Sequence, residues 1–552
     1  MPWIDQAVNW LSPERGLRRA AARARIERLA QIQKAKRNRL DSYERTFEAI
    51  AGGRGRSDFL TTTDSADKVI SGGAQGLRHH VRQLEYNNGF ISGPIKRIVA
   101  NVVGTGFRFQ ARVKGEEAGA NDLFSIITQE AADRFNSAME KAFNLWASKY
   151  ADVRMIMSLP EILSLLEASL VRDGEVLAIG RRSKRPGRPI PFCVEVLEID
   201  RLQTPYEEIN NPSIRNGIEY DDEGAPKNYY ILKRHPGDFL AVMNLKGGDF
   251  DSIPAFNEDG TRKVFHLFNP WRPEQSRGFS DFASGLKDLQ DFDRFMEAEK
   301  FAMLEDACLT GFVTTPAPTV FQPGYTTESD ADGNRIHEFA PNKWHYLKPG
   351  EDIEIHSPKR PNNSLEEIFN QLLRGPSSAI DIPPEVLTQN WGDLNYSNAR
   401  TILMQFYLKI KIRQLHLINH FCIPVYENVA PELVAVGAVK APGFDRRKED
   451  YLVCKFIPPG TQWVDPVKEV DSKCTEVDNL FETLSEVCAM KGNDFEETAE
   501  TRARELKKIK ELEEKFGIKF KAAPKPANQT AGKSGKEDTD AETDTDAATD
   551  AK

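Results

Sequence analysis

Few residues in this 552-residue chain stand at spacings that could do chemistry. His416 and His420, in HLINH, have the i, i+4 spacing of a helical zinc pair. The glutamate that completes the HExxH pattern is missing, and no further His, Cys or acid cluster adjoins them, so they read as helix-face residues. GFSDFASG misses the G-x-S-x-G spacing of a nucleophile elbow, and a serine there reads as a helix N-cap. Gly104 and Gly106 lack the third glycine and the following helix of a dinucleotide site, so they read as turn glycines. The chain has no Walker A lysine motif and is not expected to hydrolyse ATP. The pairs Asp221-Asp222 and Glu366-Glu367 could hold metals for phosphodiester hydrolysis, but turn and helix-surface charge is the simpler reading. No catalytic residue, metal site or cofactor is therefore expected. What remains is a polar stretch without His or Cys, QNWGDLNYSNARTILMQFY (389–407), between a proline elbow, DIPPEVL, and a long apolar helix.

The elements that hold this stretch follow from periodicity. Hydrophobic content of 40% and charged content of 28% are those of a chain with a real core. No run of about 18 residues lacks charge, so no membrane span or membrane partner is expected. MPWIDQAVNWLSPERGLRR has no apolar run ahead of a cleavage site, so no signal peptide is expected. The 6 cysteines are scattered without a CxxC, which suggests reduced thiols. The net charge of −9 is uneven: the N-terminal arm is basic and the C-terminal tail acidic. An acidic chain is a poor non-specific binder of DNA, because such affinity comes mainly from neutralised phosphates.

Ser12-Pro13-Glu14 opens a helix carrying Arg15, Arg18, Arg19, Arg23 and Arg25. It reads as a solvated basic arm or as a docking segment for an acidic partner or nucleic acid, with Trp3 and Trp10 a weak membrane-surface signal. Residues 41–76 read as a polar connector, and Leu77–Val103 as helical. VVGTGFRFQARV reads as a turn and strand, and 122–170 as largely helical. Strands follow in EVLAIGRR, PFCVEVLEI, GIEYDDEGAPKNYYILKR and KVFHLF, the third a hairpin through DDEG. This is an α+β region with an antiparallel sheet. From Ser280 a helix carries Phe282, Leu286, Leu289, Phe292, Phe295 and Met296 as one apolar stripe. Roughly 28 residues at about 1.5 Å each make a rod about 40 Å long. A Pro/Gly-rich excursion, a second helix in SLEEIFNQLLRGPSSAI and a third from about Asn398 to Tyr426 follow. Shorter amphipathic helices then lead to a tail, from about Lys521, that cannot bury a core.

In this order the segments resemble the lambda-family phage portal proteins over roughly residues 12–517. EYNNGFISGPIKRIVANVVGTGFRFQ is similar to the family's early block, and VRDGEVL through HLFNPWRPEQSRGFSDF to its central sheet. IDIPPEVLTQNWGDLNYSNAR resembles its helix, proline elbow and Tyr-Ser-x-Ala-Arg start of another helix. WVDPVKEVDS and MKGNDFEE resemble its C-terminal part. The resemblance implies an α+β portal fold: a mixed wing of antiparallel sheet and helices, a long helical stem, a small α/β clip and a helical crown, assembled as a ring. On these residues it implies a basic arm and connector (1–76), wing (77–278), first stem helix (279–308), clip (309–357) and second stem helix (358–381). A tunnel loop (382–397), the long helix bearing it with a return to the wing (398–464), a crown (465–520) and a disordered acidic tail (521–552) complete it.

The implied role is a ring of about twelve subunits at one capsid vertex, the channel for terminase-driven genome packaging and for ejection. Its implied partners are the terminase large subunit, the major capsid protein and scaffold, head-completion and adaptor proteins, and non-specific double-stranded DNA in the channel. The place is the virion, after assembly in the bacterial host cytoplasm. Asn390, Trp391, Asp393, Asn395, Tyr396, Ser397, Asn398 and Arg400 would then face the DNA. Polar side chains exchange hydrogen bonds with phosphates cheaply, whereas a ring of lysines would brake a moving duplex. The stem stripe would be buried between neighbours in heterologous contacts that close. Two other readings compete: a capsid-associated scaffold or adaptor that forms no ring, and a metal-dependent phosphodiesterase using the acidic pairs.

Overall fold

The structure, a computed structural model, describes residues 64–115, 128–238, 249–307, 311–314, 352–355, 365–392, 394–460 and 466–517. Two compact units result, one from residues up to 106 together with 111–454, the other from 107–110 together with 455 onward. The basic arm with Arg15, Arg18, Arg19, Arg23 and Arg25, the acidic tail and most of the expected clip lie outside the described residues. No described helix is long and apolar enough to cross a membrane.

The first unit opens with α1, Ala66–Asn87, capped by Ser65, whose side chain accepts from the Lys68 amide. The expected connector is therefore shorter than 41–76, because Ser-Ala-Asp is a cap rather than linker. The helix expected over Leu77–Val103 breaks at Asn88. That residue is extended (φ −124°, ψ 118°) and caps α2, Gly89–Val102, by accepting from the Phe90 amide at 2.8 Å. Next come α3, Gln129–Lys149, and α4, Leu159–Asp173. A capping box of Ser158 and Glu161 starts α4, and left-handed Gly174 (φ 83°) ends it. Phe143 and Trp146 of α3 and Leu163 and Leu166 of α4 are buried. The Trp146 indole donates to the Phe192 carbonyl at 3.0 Å, tying α3 to the neighbouring sheet.

The sheet expected as one is two. β2 (Glu175–Arg182) runs between β3 (Phe192–Leu197) and β8 (Val264–Phe268), antiparallel to both. β4 (Ile214–Arg215), β5 (Ile218–Tyr220), β6 (Pro226–Leu232) and β7 (Phe250–Pro254) form a four-stranded antiparallel sheet. A shared core of Leu177, Ile179, Leu202, Ile218, Ile231 and Ile253 joins them. In the β5–β6 hairpin, the Asp221 carboxylate accepts from the amides of Glu223 at 3.0 Å and Ala225 at 2.7 Å. Asp221 is thus turn chemistry, as its sequence suggests.

The expected stem helix starts later than Ser280. Buried Ser280 donates to the Val171 carbonyl and accepts from the Phe282 amide, both at 3.2 Å, and α5 spans Leu286–Ala307. The same chain buries the first part of its apolar stripe. Phe282, Leu286, Leu289 and Phe292 are buried, and Phe295 and Met296 are half-buried. The Phe292 ring lies 5.0 Å from Phe90 of α2 and 5.8 Å from Phe369 of α6, Leu365–Ala379, and Phe295 meets Phe369 at 5.8 Å. The stripe expected to meet neighbouring subunits therefore closes α5 onto α2 and α6. Between these helices β9 (Gly311–Thr314) pairs antiparallel with β10 (Asp352–Ile355). After α6 come α7, Pro384–Thr388, α8, Tyr396–Leu417, a π-turn at Ile418–Cys422 and α9, Ile423–Ala435. The third long helix thus extends beyond Tyr426.

In the second unit, Phe109 of β1 (Arg108–Ala111) lies 5.2 Å from Phe456 of its partner strand β11 (Cys454–Ile457). Three helices follow: α10, Pro466–Asp478, α11, Leu484–Met490, and α12, Phe495–Phe516, whose residues all stay unburied. Arg108 meets Glu497 at 2.5 Å.

Candidate functional site

Two proline-bearing turns carry the chain from α6 to α8. Ser377 donates to the Ile382 carbonyl, and Asp381 takes a left-handed φ of 54°. Pro383 and Pro384 then start α7, which buries Val386 and Leu387. Gln389 ends α7 in the left-handed region (φ 58°) and turns the chain outward. Arg97 of α2 holds this turn from beneath. Its Nη1 donates to the Leu387 carbonyl at 3.2 Å. With the Gln389 amide oriented oxygen-inward, Arg97 Nε and Nη2 each donate to it at 3.1 Å. Arg97→Ala is expected to cost about 1–3 kcal/mol, chiefly by leaving the Leu387 carbonyl unmet, since water reaches the exposed Gln389. Faster amide hydrogen exchange across residues 387–395, with α8 unchanged, would be the sign.

Beyond Gln389 the chain stands in solvent. Asn390, Trp391, Gly392, Asn395, Ser397 and Asn398 are exposed, and Arg400 is half-buried. Asp393 and the Tyr396 side chain lie outside the described residues. Two asparagines serve the loop itself. Asn390 Oδ1 accepts from the Gly392 amide at 3.3 Å, and Asn395 Oδ1 accepts from the Asn398 amide at 2.9 Å, capping α8. Each uses its carbonyl oxygen, so the group left for a ligand is the amide NH2, a donor suited to a phosphate oxygen. With Arg400 the one cation and Asp393 the one acid between 389 and 400, the loop has little net charge.

Helix α8 is anchored firmly behind it. Phe406, Ile410, Gln414 and Leu417 are buried, and Gln414 Nε2 donates to the Val102 carbonyl at 3.1 Å. Arg413 bonds Glu167 of α4 at 3.1 Å and Asp281 more closely, while Lys409 pairs with Asp381 at 2.8 Å. Burial alone would lower the Arg413 guanidinium's pKa, but Asp281 and Glu167 outweigh it, so the charge persists. Burial raises the Glu167 carboxyl despite Arg413 beside it. Where α8 passes into the π-turn, the His416 and His420 rings lie 4.6 Å apart. Burial, His420 and Arg413 push His416 down to about 4, so it is neutral at physiological pH. Elsewhere, Glu198, Asp200 and His235 each place one donor atom within 4.8 Å of the others, a spacing that could hold a metal ion and the one such group among the described residues. Arg78 at 3.2 Å and Arg82 at 2.7 Å already neutralise Asp200 there.

Arg97 and Arg413 escaped the sequence reading. Arg97 is a cation inside an apolar helical run, IKRIVANVV, and that pattern is the signal that could have marked it as inward-facing, whereas Arg413, in KIKIRQL beside exposed Lys409 and Lys411, carries no such signal. Glu175 also escaped, although a lone acid at the head of the buried strand EVLAIG gives the same hint.

A family model described as "Phage portal protein, lambda family" matches residues 52–414. The chain is 26% identical over 453 residues to a probable portal protein of Halomonas phage phiHAP-1, covering 81% of this chain and 83% of that protein. It is 20% identical over 448 residues to portal protein B of Escherichia phage lambda, covering 76% and 81%. Among solved structures, it is similar to a chain from the neck of an empty gene transfer agent particle, at 14% identity and a TM-score of 0.44, covering 77% of this chain and 97% of that one.

Proposed function

The chain belongs to the lambda family of phage portal proteins, and on that premise we propose that it forms a closed ring of about twelve subunits through which the genome is packaged and ejected. Membership of this structural family makes it a virion component rather than an enzyme. The ring is the passive conduit for a terminase-driven duplex and the platform on which head-completion proteins dock. Within the expected loop 382–397, the buried start and α7 brace it, and the exposed run from Asn390 to Ser397 is the part of the ring that faces DNA. The clip around 309–357 meets the terminase, and residues 465–520 form the crown.

One observation supports the reading of the loop: an exposed, nearly uncharged run of hydrogen-bonding residues stands between the end of α7, which Arg97 holds, and the start of α8, whose far half is anchored through Phe406, Ile410 and Arg413. A rigid base fixes where the loop sits in a channel. Its amide donors make short-lived contacts with passing phosphates, without the counterion release that would hold DNA in place.

The test joins native mass spectrometry and negative-stain imaging of the purified chain with packaging assays on a variant lacking Asn390–Ser397. A ring with a hole of about 20 Å or more, intact in the variant while packaging falls at least tenfold, is the expected result. Rings that fail to form would make the segment core structure. Unchanged packaging would remove DNA contact from its role. Monomers that join only a pre-existing ring would make the chain an adaptor.

A further inference from the structure

Two helices of the first unit carry apolar stripes that nothing in the described chain covers, and their charges are opposite. On α8, Met404, Leu408, Ile412 and Leu415 are 63%, 62%, 55% and 56% exposed. Their spacing of four, four and three residues puts them on one face, about 17 Å long. The helix holds four basic residues and no acid. Lys409 and Arg413 are engaged within the chain, so exposed Lys411 is the cation presented with the stripe. On α5, the first half of the apolar surface is closed by α2 and α6, but Phe301 and Leu304 in the second half remain 65% and 67% exposed. Exposed Glu297 lies one turn before Phe301 on that face. The α5 sequence holds seven acidic against three basic residues, a net of −4.

We propose that the α8 stripe of one copy docks on the C-terminal half of α5 of the next copy, with Lys411 facing Glu297. The proposal rests on the ring reading and names the surface that closes it. A single exposed apolar side chain needs no explanation, but stripes on two long helices do. The charges choose the pairing. Setting α8 against α8, or α5 against α5, across a two-fold axis would oppose like charges, whereas α8 against α5 matches them. Two different patches in contact make a heterologous interface, which repeats around a ring when its rotation closes. The buried part of the stem stripe is already spent within each chain and is not free for this contact.

The experiment uses the full-length chain carrying Lys411→Glu, Glu297→Lys, or both, read by native mass spectrometry and by thermal melting. Each single variant places like charges together at every interface, so the ring fraction is expected to fall at least tenfold while the melting temperature of the free subunit holds. The double variant is expected to restore rings. Rings unchanged in both single variants, or not regained in the double, would overturn the pairing. So would a lowered subunit melting temperature in a single variant, because the residue would then be bracing its own chain. A wild-type two-fold dimer would overturn the heterologous geometry. A wild-type monomer, even when coexpressed with capsid and scaffold proteins, would instead overturn the ring reading on which the pairing rests.

Discussion

Glu175→Ala is expected to destabilise the first unit by about 3–5 kcal/mol, seen as a lower denaturant midpoint. Glu175 is fully buried where α4 gives way to β2, and three distant segments converge on it. Arg277 donates to it through Nε and Nη2 at 2.8 Å each, the Gly278 amide donates at 3.0 Å, and Arg78 lies at 3.3 Å. His266 Nε2 lies 3.1 Å away. Burial alone would raise this carboxyl, but Arg277 and His266 outweigh burial and hold it well below the usual carboxylate range. Alanine would leave the Arg277 guanidinium charged and largely buried without its carboxylate, and would strip Arg78 of one of its two acids, leaving it Asp200 alone, which costs far more than an exposed ion pair is worth. The pH dependence has a definite sign. A carboxyl depressed in the fold contributes fully above its unfolded pKa of about 4.3, and that contribution is lost as pH falls toward the folded value. Wild-type stability should therefore decline on acidification below about pH 4–5, and the variant should lose that portion of the slope. An unchanged slope would mean that Glu175 is not the acid-sensitive group.

Gly278→Ala is expected to cost at least about 3 kcal/mol and most of the soluble yield, since overpacking against backbone has no rotamer to relieve it. A β-carbon there would lie 2.2 Å from the Gly174 carbonyl oxygen and 2.9 Å from the Phe268 Cβ. The opposite face of the contact is as tight. Gly174 has φ 83°, and its β-carbon would lie 1.9 Å from the Phe279 carbonyl carbon. Two backbones touch here so that the chain leaving β8 can pass the end of α4 and enter α5. Gly72→Ala in α1 is the control, because open space surrounds that position and helix propensity should raise stability by about 0.5–1 kcal/mol. Equal melting temperatures for Gly278→Ala and wild type would show that the two backbones can part without cost.

Much of the architecture was legible because local chemistry and burial agreed. The DDEG turn between alternating runs forms the hairpin at 218–232, since one aspartate can satisfy two turn amides by itself. The apolar stripe of α5 was legible from its spacing, but its partner was not. A stripe states that a face is covered without stating by what, and here α2 and α6 of the same chain cover it. The start of α1 was misjudged by eleven residues, because a polar run containing a cap looks like linker until the helix behind it is seen. In the candidate site, the exposed asparagines and serine were found from composition, whereas Arg97, which holds the turn beneath them, was not.

By itself the sequence determined most of the described helices, strands and turns, the exposed polar character of the loop before α8, and, through the order of its segments, the family. These are properties of neighbours along the chain, where periodicity and capping act over three to seven residues. Tertiary structure decided which faces are spent within one subunit and which are left over, and where the buried charges lie. Glu175 meets partners 91 to 103 residues away, and no periodicity encodes such a distance. Its ionised state is set by the Arg277 guanidinium and the His266 ring that the fold brings beside it, because those contacts offset removal of the charge from water.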